Sequence, residues 1–364
     1  MFYSRIWITA FFLFVALQSC KKDKETTSLT TVVTDADTPT LPSSPFNYSV
    51  TFPAHVASEL ALNDNTPGNN PITNEGATLG RVLFYDKILS ANNTISCGSC
   101  HKQNESFVDN RVLSPGFQGE LGKRHSMPLL NVRFYKSGKM FWDERAATLE
   151  QQVLMPIQDH LEMGATLADM VAKVKAKSYY PPLFAKAFGS TDIDTTRIAK
   201  ALAQFVRSIV TYQSKYDRVQ QGIESYTTQE QAGATLFVTA PAAPGPGGGT
   251  PPSCAGCHKP PMFITSNPTA PFSLPDPNDL GINNQRRFKS SSLRNVALRT
   301  SLFHNGSVAN IQDMLTRGAP GSGTTGIPAH SVRPQDVAAL TAFLQTLNDN
   351  AILSDEKFSN PFKQ

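Results

Sequence analysis

Two pentapeptides constrain this chain more than anything else in it: Cys97-Gly98-Ser99-Cys100-His101 and Cys254-Ala255-Gly256-Cys257-His258. The C-x-x-C-H spacing is that of covalent c-type haem attachment. Its two thiols bond the vinyl groups along one porphyrin edge, and the next imidazole reaches the iron from one face. Cys97, Cys100, Cys254 and Cys257 are therefore expected to carry two haem c groups, with His101 and His258 as axial iron ligands. Zinc held by Cys/Cys/His and a thioredoxin-like redox pair are the other chemistries of these residues. The redox pair needs one motif beside a βαβ unit, and two complete copies in an exported helical chain favour haem. The fifth and last cysteine is Cys20, which leaves none for a disulfide framework.

The N-terminus reads as an address. Arg5 precedes an apolar run from Ile6 to Leu17, followed by Leu17-Gln18-Ser19-Cys20. A charged start, a short apolar stretch and small residues before a cut site describe a secretory signal over residues 1–19. The cysteine at the cut resembles a bacterial lipobox, although Gln18 is not the usual small residue. That resemblance implies a lipid on Cys20, which becomes the first mature residue and the membrane link. An uncleaved anchor helix is the alternative, but the run is short for a bilayer span. The expected location is the cell envelope of a Gram-negative bacterium, at the outer membrane facing the periplasm. Residues 20–45, rich in Thr, Ser, Asp, Pro and Lys, read as a flexible tether. No other apolar run is long, which excludes a multi-span membrane protein. The net charge of +4 and the lack of a dense Lys/Arg patch exclude nucleic acid as a partner.

From Phe46 onward helices alternate with long irregular loops. Ile198, Leu202, Phe205, Val206 and Ile209 share one face of a helix expected from Thr196 to Ser214. Helices are also expected at Thr228–Val238, where Thr227 and Glu230 have capping-box spacing, at Pro334–Leu347, and at Leu167–Lys175. The Pro/Gly-rich stretch from Ala240 to Pro252 must be loop. Strand signals are sparse. The fold class is mainly α: two cytochrome c-like haem domains with long loops and little strand. The first is expected over 46–222 and the second over 223–355, with a tail over 356–364.

The stretch from Gly122 to Gly164 reads GKRHSMPLLNVRFYKSGKMFWDERAATLEQQVLMPIQDHLEMG. It strongly resembles the bacterial di-haem cytochrome c peroxidases and their MauG-like relatives. So do ALAQFVRSIVTYQSKYDR (Ala201–Arg218), FKSSSLRNVAL (Phe288–Leu298) and FHNGS (Phe303–Ser307). The resemblance runs from about Pro71 to Leu347 and supplies site residues one by one. Glu162, twenty residues after Trp142, matches the catalytic acid/base; Gln152, ten after it, matches a distal glutamine that hydrogen-bonds bound oxygen. Pro156 matches a distal-pocket proline, and Trp142 an electron relay between the haems. Peroxide cleavage needs such a group, able to take a proton from one oxygen and deliver it to the other.

The chain also departs from that family. Many members carry a His after the first motif that blocks the peroxidatic iron; here Phe117 falls at that place, in SPGFQGELGKRHS. His125 is the nearby residue that could act as a gate ligand instead. His125 also stands where the family has a calcium-binding Asn, while Arg299 and Ser301 fill two carbonyl-donating positions. Losing that side-chain oxygen weighs against calcium. For the sixth ligand of the second haem, Met314 is the first candidate, His330 the second and Met262 the third. Packing of a helix through Ile311, Met314 and Leu315 is the other reading of Met314.

The function implied is a cytochrome-c peroxidase. It reduces hydrogen peroxide to water with electrons from a small donor protein, a cytochrome c or a cupredoxin. The C-terminal haem takes up electrons and the N-terminal haem does the chemistry. A MauG-like oxidase acting on a protein or organic substrate is the alternative, and a non-catalytic di-haem electron carrier is another. A homodimer is compatible with the sequence.

Overall fold

The computed structural model describes residues 38–49, 51–239, 253–264, 279–285, 287–317 and 332–362. The signal segment, Cys20, most of the tether, the 240–252 loop and His330 lie outside them. Helices begin where the sequence supplies caps. Thr73 accepts from the Gly76 amide, Thr166 from Asp169 and Asp194 from Arg197, which start the Asn74–Tyr85, Leu167–Ala176 and Thr195–Ser208 helices. Thr227 and Glu230 exchange the two hydrogen bonds of a capping box ahead of Thr228–Thr239. Pro334 opens Pro334–Gln345.

The helix expected to reach Ser214 stops at Ser208. Ile209 leaves helical geometry, and its carbonyl accepts from the Asn131 amide. Ser214 and Asp217 then cap a new helix, Lys215–Gln220. A second N-cap inside a continuous apolar pattern marks this break. Extended pairing among the described residues is limited to isolated bridges, such as Met140 with Ala146.

Apolar side chains sort into two main clusters, and each lobe is built on one crossed pair of helices. In the first lobe Asn74–Tyr85 packs on Thr195–Ser208; in the second, Thr228–Thr239 packs on Pro334–Gln345. Each crossing hinges on a glycine. A Cβ on Gly80 would lie 2.0 Å from the Ala201 carbonyl oxygen, and one on Gly233 would lie 2.0 Å from that of Ala339. The likeness continues through the loops. Phe107 and Phe263, Asn131 and Asn295, and Phe141 and Phe303 all adopt positive φ at corresponding places. The bridge Met140–Ala146 returns as Leu302–Val308. The molecule is thus a tandem repeat, with Trp142 and His304 in equivalent positions.

Three features differ from the expected layout. Residues 38–45 are the last part of the expected tether, yet they are held. Pro39 bridges Phe362, the Thr40 amide donates to the Pro361 carbonyl at 2.7 Å, and Leu41 packs on the first core. The chain end also returns to the first lobe. Ile352 and Phe358 are buried there, and the hydroxyls of Tyr48 and Tyr85 donate to the carbonyls of Lys357 and Phe358, both at 2.6 Å. The second cluster begins at Tyr216, slightly ahead of the expected boundary at 222.

Candidate active site

Each pentapeptide forms one helical turn, Cys97–Cys100 and Cys254–Cys257, with its histidine just past the end. The His101 amide donates to the Cys97 carbonyl at 2.9 Å and the His258 amide to that of Cys254 at 2.8 Å. Both rings turn Nδ1 toward a carbonyl supplied by a left-handed phenylalanine: Phe107 at 3.1 Å and Phe263 at 3.4 Å. That contact fixes Nδ1 as the protonated nitrogen and leaves Nε2 as the ligand atom. Burial pushes the His101 pKa down to about 4, so the imidazole is neutral. Burial also raises the thiols, Cys97 to about 12 and both Cys100 and Cys254 to about 11. Among the described residues no three His, Cys, Asp or Glu side chains converge as metal ligands do. The paired thiols and oriented imidazoles of the pentapeptides fit haem c.

His101 opens onto a cleft of about 640 Å³. Trp142, Gln152, Pro156, Glu162 and His125 all line it, so the residues picked from the sequence converge on one space. Thr148 caps the short helix that ends at Gln152, and Pro156 sits in the first turn of Met155–Gln158. Glu162 then rides a tight loop: its amide donates to the Asp159 carbonyl, and its carbonyl accepts from the Phe117 amide at 2.8 Å. Burial, reinforced by the Asp159 charge and opposed by Arg145, holds the Glu162 carboxyl above its ordinary pKa. A carboxyl in that state keeps a proton more readily than a solvated acid and can still release it. Phe117 is not among the lining residues. Its ring covers Gly164, where a Cβ would come within 2.3 Å of it.

A second cavity is lined by His258, Met314, Phe288, Lys289, Ser290 and Arg299. Trp142 and His125 line both cavities and so form the wall between them. The segment Phe288–Lys289–Ser290 joins the two sides. Phe288 packs on Trp142 and stacks on His304 at 3.9 Å; the Lys289 amide donates to the Trp142 carbonyl at 2.7 Å. Ser290 Oγ lies 3.0 Å from His258 Nδ1. His125 is fixed by three contacts. Its Nδ1–H donates to the Val112 carbonyl at 3.0 Å, its amide donates to His304, and its carbonyl accepts from Trp142. Turning the ring towards the first iron would break only the Val112 contact, and its Nε2 is buried without a partner among the described residues.

Among the candidate sixth ligands, buried Met314 lines the His258 cavity. Met262 does not: it is fully buried in the first core, so its sequence proximity to the motif is misleading. At the position of the family's calcium-binding Asn, His125 has no side-chain oxygen, and the buried Arg299 guanidinium beside it brings a positive charge. Sequence reasoning missed Arg124, which bridges Asp143 at 2.7 Å and Asp279 at 2.6 Å on the rim of the cleft. It also missed Arg145, stacked 3.5 Å over Phe141, and Ser290, and it took Arg299 for a carbonyl donor alone.

Comparison with known proteins agrees with this geometry. The family described as di-haem cytochrome c peroxidase matches residues 74–225. The methylamine utilization protein MauG of Methylophilus methylotrophus is 31% identical over 68% of this chain and 73% of its own length. The cytochrome c551 peroxidase of Nitrosomonas europaea is also 31% identical, over 70% and 77%. The crystal structure of a MauG-like protein associated with microbial copper homeostasis superposes with a TM-score of 0.71 at 28% identity, covering 87% of this chain and 100% of that one. The chain belongs to the di-haem cytochrome c peroxidase and MauG family. It is an oxidoreductase of that family, and the family implies two haem c groups.

Proposed function

We propose that this protein is a peroxidase that reduces hydrogen peroxide to water with electrons from a small redox protein. The observation that carries the reading is Glu162: a carboxyl whose pKa is raised by burial lines the cleft onto which His101 opens. Haem, when bound, supplies an iron that takes peroxide and passes on oxidising equivalents. The chain's own residues do the rest. Glu162 takes the proton from one peroxide oxygen and returns it to the other as that oxygen leaves. Gln152 orients the oxygen by hydrogen bonding, and Pro156 narrows the space above it. Trp142, in the wall shared by both cavities, relays electrons from the His258 side. An electron carrier has no use for a raised carboxyl beside an open cleft.

A MauG-like oxidase is the second reading. It is favoured by Phe117 in place of a blocking His and by the 31% identity to the Methylophilus protein. Steady-state peroxide turnover with a reduced cytochrome c separates the readings. Glu162→Gln is expected to lower kcat by about 10²–10⁴-fold. Slow wild-type turnover insensitive to that change would favour the oxidase or a carrier. Among the described residues no helix is long and apolar enough to cross a membrane. Export with a lipid on Cys20 remains part of the proposal; Cys20→Ser would release the protein from the membrane fraction.

A further inference from the structure

Four basic side chains line the His258 cavity: His125, Lys289, Arg299 and His304. Lys289 is ion-paired with Glu144 at 2.9 Å, and His304 lies 3.3 Å from Asp279. Burial lowers the pKa of His125, against the Val112 carbonyl contact that raises it. Arg299 has no such compensation. It is buried, and its Nη2 donates only to the carbonyls of Ser292 and Arg294, at 2.9 and 2.7 Å. Its Nε has no partner, and no carboxylate pairs with it among the described residues. Desolvation brings its pKa down to about 10, which still leaves it charged at neutral pH.

An uncompensated buried guanidinium costs several kcal/mol, so a counter-charge is called for. Haem c brings two propionate carboxylates, and the His258 motif would hold them in this same cavity. We infer that Arg299 is a cofactor-binding residue whose guanidinium pairs with a propionate of the C-terminal haem. The inference rests on the two-haem content of the family. In the repeat, Arg299 follows Asn295 by four residues as Tyr135 follows Asn131. The first lobe thus has a phenol where the second has a cation. A fixed positive charge beside one haem favours its reduced state and so marks it as the one that accepts electrons.

Spectroelectrochemical titration of the holoprotein tests this, with haem counted first. Fewer than two haems in the wild type would fail the family reading, not the Arg299 assignment. Arg299→Gln is expected to lower the reduction equilibrium constant of the C-terminal haem about tenfold, roughly 59 mV for one electron. It should also make that potential pH-dependent near neutrality, as the propionate loses its partner. Arg299→Lys should restore at least half of the shift. An unchanged potential in Arg299→Gln with both haems present overturns the assignment. So does Arg299→Lys behaving like Arg299→Gln, or a wild-type potential that tracks chloride, which would make solvent anion the partner. If Arg299→Gln fails to load its second haem, the wild type decides: a flat potential from about pH 6 to about 8 supports the pairing, and a sloping one overturns it.

Discussion

The indole Nε1–H of Trp142 donates to the carbonyl oxygen of His125 at 2.8 Å, and the His125 amide donates in turn to the carbonyl of His304. The relay residue is therefore tied to its own counterpart in the other lobe. Trp142→Phe keeps an aromatic ring against Phe288 but leaves a buried carbonyl unpaired. The expected cost is about 1–3 kcal/mol in thermal or denaturant unfolding. Peroxide turnover should fall as well, because transfer between the haems slows. Pre-steady-state traces should show electrons retained on the C-terminal haem after peroxide is added. Turnover equal to the wild type would remove Trp142 from the relay.

Glu162 gives a signed pH prediction. Its folded pKa is raised, so its contribution to stability is fully present below the unfolded value and lost as pH rises through the folded one. Glu162→Gln should therefore unfold at a higher temperature than wild type at pH 8, and the gap should close towards pH 4. The same substitution removes activity, as expected where function is maintained against stability. A wild type that matches or exceeds the variant at pH 8 would show that the carboxyl is not strained by burial.

The resting ferric protein should show a high-spin component and react with peroxide before any reduction. The Phe117 ring covers Gly164, an apolar ring cannot ligate iron, and His125 is held by Val112 and Trp142. Electron paramagnetic resonance and rapid mixing read both. A purely low-spin protein that responds only after half-reduction would restore a gate. His125→Ala would then reveal whether His125 is that gate.

Gly80→Ala and Gly233→Ala should act on different haems. Each added methyl group meets a helix carbonyl at 2.0 Å in its own lobe, so the crossed helices must separate. Such overpacking costs about 1–3 kcal/mol. The first substitution should perturb the spectrum of the His101 haem and the second that of the His258 haem. Identical effects on both would mean that the lobes do not respond separately.

Much of this was legible from local chemistry. The pentapeptides, the helix caps and the apolar stripes are written in neighbouring residues, and the structure keeps them. Gln152, Pro156 and Glu162 became visible through family resemblance, since nothing in their own sequence brings them to His101. The two pentapeptides announced two haem domains, but the match of their loops is carried by backbone conformation: left-handed phenylalanines and asparagines at matched places. A further sequence trace of it is the recurring Asn-Val pair, Asn131-Val132 and Asn295-Val296. Lys289 was passed over, and Arg299 noticed only for its carbonyl, because an isolated basic side chain reads as surface.

The return of Phe358 to the first lobe also sets an order of assembly. A chain made from its N-terminus delivers Cys97 long before Ile352 and Phe358, yet Tyr48 and Tyr85 need the carbonyls of Lys357 and Phe358. The first lobe therefore stays open at one side until the segment from Ile352 to Phe358 arrives to close it. The stretch written as a tail acts as a latch, and a ribosome or protease that stops short of it leaves the first lobe, not the second, unfinished.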